Sequence, residues 1–130
     1  MLGLYIHVPF CHGKCPYCDF YSRPDSAGGM DAYVSAVIDS LSPWREKLAD
    51  RELATVYFGG GTPSLLGAER LGLILQAVRQ GFSLAPGTEI TLEANPTHVD
   101  RPFFEGVRRA GFNRLSMGVQ SANQEELRFL

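Results

Sequence analysis

Cys11, Cys15 and Cys18 hold the chain's most reactive chemistry: three thiols at spacing CxxxCxxC, with no fourth cysteine among the 130 residues. Three cysteines cannot form a paired disulfide framework, and in a reducing compartment so compact a group is a metal site. Cubane iron–sulfur clusters are ordinarily held by four thiolates. Three would leave one iron open, and an open coordination position is what a metal needs to take a reacting ligand, as in catalytic zinc centres. A structural zinc site completed by His7 or His12 is the alternative, although zinc ligands commonly come as two short knuckles. Three inert buried cysteines fit less well, because Lys14 and Pro16 mark the segment as a loop.

Three further features carry potential chemistry. Gly59-Gly60-Gly61-Thr62-Pro63 offers a backbone without Cβ atoms that a ligand can approach closely. The run lacks both the GxGxxG spacing of a dinucleotide fingerprint and the GK[ST] of a phosphate loop, so on its own it also reads as a tight turn. Glu93 ends an apolar stretch, either as a functional carboxylate or as a surface one, and Gln120 closes another. His7, between Ile6 and Val8, reads as a hydrogen-bonded core histidine, and His12 and His98 as solvated loop residues.

Alternating elements must position these groups. Leu4 to Phe10 reads as a buried strand, Leu53 to Phe58 as a second cut off by the glycines, Glu89 to Ala94 as a third and Arg114 to Val119 as a fourth. Ser22 to Gly29 reads as a loop, followed by a helix capped by Asp31 that buries Tyr33, Val34, Val37, Ile38 and Leu41. A second helix runs from about Gly67 to Gln80, with Leu71, Ile74, Leu75 and Val78 inward and Gly81 as its stop. Asp100 caps a third helix with Pro102 in its first turn, and Asn123 with Glu126 forms a capping-box-like start to a fourth, which reaches Leu130. Strand and helix in alternation imply a parallel α/β sheet with right-handed crossovers, either doubly wound or part of a barrel. The cysteines, the glycine run, Glu93 and Gln120 each follow or close a strand. All four therefore fall on the carboxyl-end rim, where such folds bind ligands. A fourth helix of barely two turns points to a chain truncated at its C-terminal end.

Composition narrows the partners. Twelve basic and fourteen acidic residues give a net charge of −2 without a block of like charge, so neither nucleic acid nor a membrane surface is an expected partner. No stretch approaches the roughly 20 apolar residues that span a bilayer, and no leader is evident, which reads as a cytoplasmic protein.

Tyr5-Ile6-His7-Val8-Pro9-Phe10-Cys11 running into Cys15-Pro-Tyr-Cys18 resembles the radical S-adenosylmethionine superfamily, and within it the oxygen-independent coproporphyrinogen III oxidase group. Phe58-Gly-Gly-Gly-Thr-Pro-Ser64, Thr91-Leu-Glu-Ala-Asn-Pro96 and Asn113-Arg-Leu-Ser-Met-Gly-Val-Gln120-Ser match in the same order, over nearly the whole chain. The resemblance implies that residues 1–130 are the N-terminal part of a partial (β/α)6 TIM-like barrel. It implies a 4Fe-4S cluster on Cys11, Cys15 and Cys18 whose open iron takes the methionine part of S-adenosylmethionine, the source of a 5'-deoxyadenosyl radical. It places Tyr5 and Gly60 against that cofactor, Glu93 near its polar groups, Tyr17 against the adenine, and Gly60 to Thr62 beside the methionine amino group. In the oxidases a second cofactor molecule lies near positions matching Tyr17, Gly61, Thr62 and Gln120. The true oxidases resemble CxxxCxxCxC, whereas the position two after Cys18 is Phe20. That departure points to the HemW-like branch, which binds heme as cargo and passes it to acceptor proteins; the oxidase, which decarboxylates porphyrinogen propionates, is the alternative. Residues holding heme or porphyrin are expected beyond Leu130.

Overall fold

The computed structural model describes residues 1–24 and 28–129. Asp25 to Ala27 of the expected loop and the final Leu130 lie outside the described residues. Four strands, β1 (Leu2–Val8), β2 (Glu52–Gly60), β3 (Ser83–Ala94) and β4 (Arg114–Met117), form one sheet in the order β1-β2-β3-β4, every neighbouring pair parallel. The helices are α1 (Gly29–Lys47), α2 (Gly67–Gly81), α3 (Arg101–Ala110) and α4 (Gln124–Phe129).

Strand order equal to chain order decides between the two sheets the alternation allows. A doubly wound sheet reverses at a switch point and carries helices on both faces. Here α1 contacts α2 and α2 contacts α3 in sequence, all over the face presented by Ile6, Val8, Val56, Phe58, Ile90 and Leu92. This is a barrel segment with its helices outside.

Within that layer the amphipathic pattern is realised. Leu71, Ile74, Leu75 and Val78 of α2 are buried, as are Val34 and Leu41 of α1, with Tyr33, Val37 and Ile38 packed half-buried beside them. Phe58, fully buried, meets the Phe112 ring edge-on at 5.0 Å; truncating such a core aromatic to Ala costs about 3–5 kcal/mol.

Several boundaries differ from the sequence reading. β1 stops at Val8 because Pro9 has no N–H for the ladder, and Phe10 pairs instead with Arg23 in an isolated parallel bridge. β2 is not cut off at Gly59 but runs through Gly60, paired to Val8. β3 begins at Ser83: an irregularity opposite Leu53–Thr55 takes up Pro86 and Gly87, and Thr88 Oγ1 fastens it by donating to Leu53 O at 2.9 Å. The N-cap of α1 is Gly28, in the left-handed region at φ 78°, and no side chain caps the helix. Asp31 lies inside the first turn and accepts from Arg70 Nε at 2.6 Å across to α2, which holds its carboxyl below the usual range. Asp100 caps α3 as expected, accepting from Phe103 N at 2.9 Å.

Candidate functional site

The rim is assembled mainly by backbone. Gly61 N donates to Val8 O at 2.7 Å and Thr62 N to Phe10 O at 2.7 Å, so the glycine run lies directly against the start of the cysteine loop. From the other side, Arg23 N donates to Pro9 O at 2.7 Å and Cys11 N to Arg23 O at 3.1 Å. The requirement for glycine is steric: a Cβ at Gly61 would stand 2.6 Å from Phe10 O and 3.0 Å from Cys11 Sγ. Gly60, at φ 114°, is in a conformation L side chains rarely adopt, and its Cβ would meet the His7 ring at 2.7 Å.

The three cysteines are unpaired and part-exposed on this loop. Cys11 Sγ lies 3.6 Å from Thr62 Oγ1. A turn closed by Cys18 N donating to Cys15 O at 3.0 Å brings the other two together in the chain. Tyr17, half-exposed within that turn, hydrogen-bonds Cys15, which raises its phenol pKa. Among the described residues no three His, Cys, Asp or Glu side chains form a ready metal-ligand set. The case for a metal therefore rests on donor chemistry and placement: three free thiols on one backbone-tethered loop fit an iron–sulfur cluster. Zinc completed by His7 fits poorly, since Nδ1 of His7 bonds the Tyr5 hydroxyl at 3.1 Å and Nε2 bonds Tyr21 O at 3.1 Å. His7 is hydrogen-bonded as its flanks imply, but it is half-buried and outside the hydrophobic core, because it points to the sheet face opposite Ile6 and Val8. His12 and His98 are exposed, but they are not independent loop residues: their rings meet edge-on at 4.4 Å, joining the cysteine loop to the turn after β3.

Inside the barrel wall, on the face away from the helices, Tyr5 of β1 stacks on Tyr57 of β2 with centroids 6.1 Å apart and planes at 30°. Tyr57 donates its hydroxyl to Glu93 Oε1 at 2.6 Å, and Gly60 N donates to Glu93 Oε2 at 3.3 Å. Glu93 is thus half-buried and held at both oxygens. Period-two alternation with buried Val56 and Phe58 puts Tyr57 on this face, but nothing in its residue type pairs it with a carboxylate 36 positions on. Arg114 lies lower on the same face, donating to Thr91 Oγ1 at 3.3 Å and lying 3.7 Å from Glu89.

Tyr5, Gly60, Gly61, Thr62 and Glu93 are therefore brought to one rim beside Cys11. Gln120 is not joined to them by any contact seen among the described residues. β4 ends at Met117, not Val119; Gly118 N still reaches Ala94 O at 3.2 Å, after which the chain turns with Gln120 exposed at φ 63°. The capping box of α4 is also modified. Asn123 Oδ1 accepts from Glu125 N at 2.8 Å, while Glu126 reaches back to Ser121 Oγ, which in turn accepts from Asn123 N at 2.9 Å.

Comparison with known proteins sets this geometry in a family. The model of the radical SAM superfamily matches residues 5–130. The chain is 47% identical over 122 residues to the heme chaperone HemW of Mycobacterium tuberculosis, covering 92% of this chain and 31% of that protein. It is 44% identical over 130 residues to the heme chaperone HemW of Escherichia coli, covering 99% and 34%. Among solved structures it superposes on coproporphyrinogen III oxidase (HemN) from Escherichia coli, described as a radical SAM enzyme, with a TM-score of 0.90 and 31% identity, over 97% of this chain and 29% of that one. The chain spans about a third of the length of these relatives. With four parallel strands in barrel order, a CxxxCxxC loop on their carboxyl rim and a family match from Tyr5 onward, the chain belongs to the radical SAM superfamily.

Proposed function

We propose that residues 1–130 form part of the radical SAM core of a heme chaperone, with a 4Fe-4S cluster on Cys11, Cys15 and Cys18 and S-adenosylmethionine bound beside it. The observation that carries the cluster and cofactor reading is the direct backbone docking of the glycine run on the cysteine loop through Gly61 N–Val8 O and Thr62 N–Phe10 O. That docking seats the glycine run and Thr62 directly beside the thiol-bearing loop, where a ligand of the metal would lie. When bound, the cluster would supply the electron for reductive cleavage of the cofactor's sulfonium bond. Gly60 to Thr62 would line the cofactor's methionine part, Tyr5 and half-exposed Tyr17 would offer ring faces, and Glu93 would accept hydrogen bonds from its polar groups. Gln120, on the turn after β4, would serve only a second cofactor molecule. Three unpaired thiols suit a reducing, cytoplasmic setting.

The chaperone reading is favoured over the oxidase by identity, 44–47% to the two HemW proteins against 31% to the solved oxidase. Phe20 supports it. The residue is 61% exposed just past Cys18, so core packing does not require an aromatic there, and the position lacks the cysteine of the oxidase pattern. Heme would then be the cargo, with an acceptor protein and an electron donor as partners. Anaerobic reconstitution of the protein, with iron and acid-labile sulfide analysis and paramagnetic resonance of the reduced sample before and after S-adenosylmethionine, tests the site. About four irons per chain and a spectrum that changes with cofactor are expected; zinc, or indifference to the cofactor, would overturn it. Heme binding without coproporphyrinogen decarboxylation separates chaperone from oxidase.

A further inference from the structure

The Glu93 carboxylate is gripped by two donors of different kinds. Gly60 N–H is fixed by the backbone of β2, while the Tyr57 hydroxyl reaches it from a side chain three residues earlier in the same strand. At 2.6 Å the Tyr57 bond is in the short, charge-assisted range. The Tyr57 ring is itself held against Tyr5. A carboxylate offers about four lone-pair sites; two are taken by these donors, and the others are left for a ligand at the rim.

We propose that Tyr57 is a positioning residue for S-adenosylmethionine: it touches no ligand but fixes the rotamer of Glu93, so that the free lone pairs face the cofactor. The proposal rests on the reading of Glu93 as a cofactor-binding group. Tyr57 is suited to the role because its proton stays in place. The bond to Glu93 raises the phenol pKa first, burial and the Glu93 charge add to that, and Ser116 and Arg114 oppose it. The phenol therefore remains a donor throughout the physiological range. A glutamate with three side-chain torsions and only the 3.3 Å Gly60 bond would sample other rotamers.

The test is a double-substitution cycle on the reconstituted protein, comparing Tyr57→Phe, Glu93→Gln and the pair. Affinity for S-adenosylmethionine is read by titrating the change in the paramagnetic resonance signal of the reduced cluster, and iron content and thermal unfolding are followed alongside. Phenylalanine keeps the ring against Tyr5 and removes only the donor. We expect Tyr57→Phe to weaken the cofactor roughly three- to tenfold at unchanged iron content, about the net worth of one ordinary hydrogen bond, and the double variant to be no weaker than Glu93→Gln alone. If Glu93→Gln weakens binding and Tyr57→Phe does not, Tyr57 is not a positioning residue, while the cofactor reading of Glu93 stands. If the two losses multiply in the double variant, Tyr57 acts on the cofactor by another route and the proposal fails. If neither single substitution changes affinity, the assignment of Glu93 falls and this proposal with it.

Discussion

Gly61→Ala is the substitution that tests most directly how the rim is built. The new Cβ would lie 2.6 Å from Phe10 O and 3.0 Å from Cys11 Sγ, and the first neighbour is backbone, which cannot swing away as a flexible side chain can. Restoring a tolerable contact requires the two segments to part by about 0.6 Å, which stretches a hydrogen bond of ordinary length beyond its usual range. The bonds at risk are Thr62 N–Phe10 O and Gly61 N–Val8 O, both 2.7 Å. At about 0.5–1.5 kcal/mol net for each, the expected loss is about 1–3 kcal/mol. Because Cys11 rides on the segment that moves, iron retention should fall as well. Denaturant unfolding of the protein, with iron per chain after reconstitution, reads both effects. Gly13→Ala is the matched control, since Gly13 lies in the same cysteine loop and its Cβ would meet nothing within 4 Å. If Gly61→Ala unfolds and retains iron like Gly13→Ala, the docking of glycine run on cysteine loop is not what organises this site.

Other outcomes follow from the same geometry. Replacing Cys11, Cys15 or Cys18 singly by Ala should abolish the cluster, because two thiolates hold a cubane poorly; full iron content in any of the three would remove that residue from the ligand set. Gly60→Val, at φ 114° against the His7 ring, should destabilise the fold by at least the roughly 1–2 kcal/mol that a left-handed conformation costs an L residue. An unfolding midpoint equal to that of the unsubstituted protein would contradict this. Tyr33 donates to His7 O at 2.6 Å, and burial foremost pushes its phenol up to about 12 from 10.0. The unfolded chain loses that proton first, so the contribution of Tyr33 is intact below pH 10 and is lost as pH rises toward 12. Tyr33→Phe should flatten the alkaline fall in stability, and an unchanged pH profile would show that Tyr33 ionises normally.

What the sequence discloses depends on whether a role belongs to a residue type or to a place in space. CxxxCxxC announces thiol chemistry, and the inward residues of α2 follow from helical periodicity alone. The sequential strand order and one-sided helix layer do not, because β-α alternation is common to barrels and doubly wound sheets. β3 begins six residues before Glu89 because Pro86 and Gly87 are absorbed by an irregularity that Thr88 fastens. Tyr57 was not legible as a partner of Glu93, since the pairing requires the parallel register that sets Tyr57 opposite Thr91. Asp31 looked like a cap by type, yet Gly28 takes that position through its backbone conformation and frees Asp31 for Arg70.

The cysteine loop shows why main-chain organisation leaves so faint a trace. Four backbone bonds hold its start, two from the glycine run and two with Arg23. Arg23 contributes its own N–H and carbonyl, which nearly any residue could supply, so its type carries no signal. Gly61 contributes an N–H too, but the space beside it excludes a Cβ, and that exclusion does appear in the sequence as an obligatory glycine. The same steric demand that makes the run readable makes it mechanically strict, because the space a Cβ at Gly61 would need is the space held by Phe10 and Cys11. Substitutions at Gly61 should therefore disturb the cysteine loop whatever else they do.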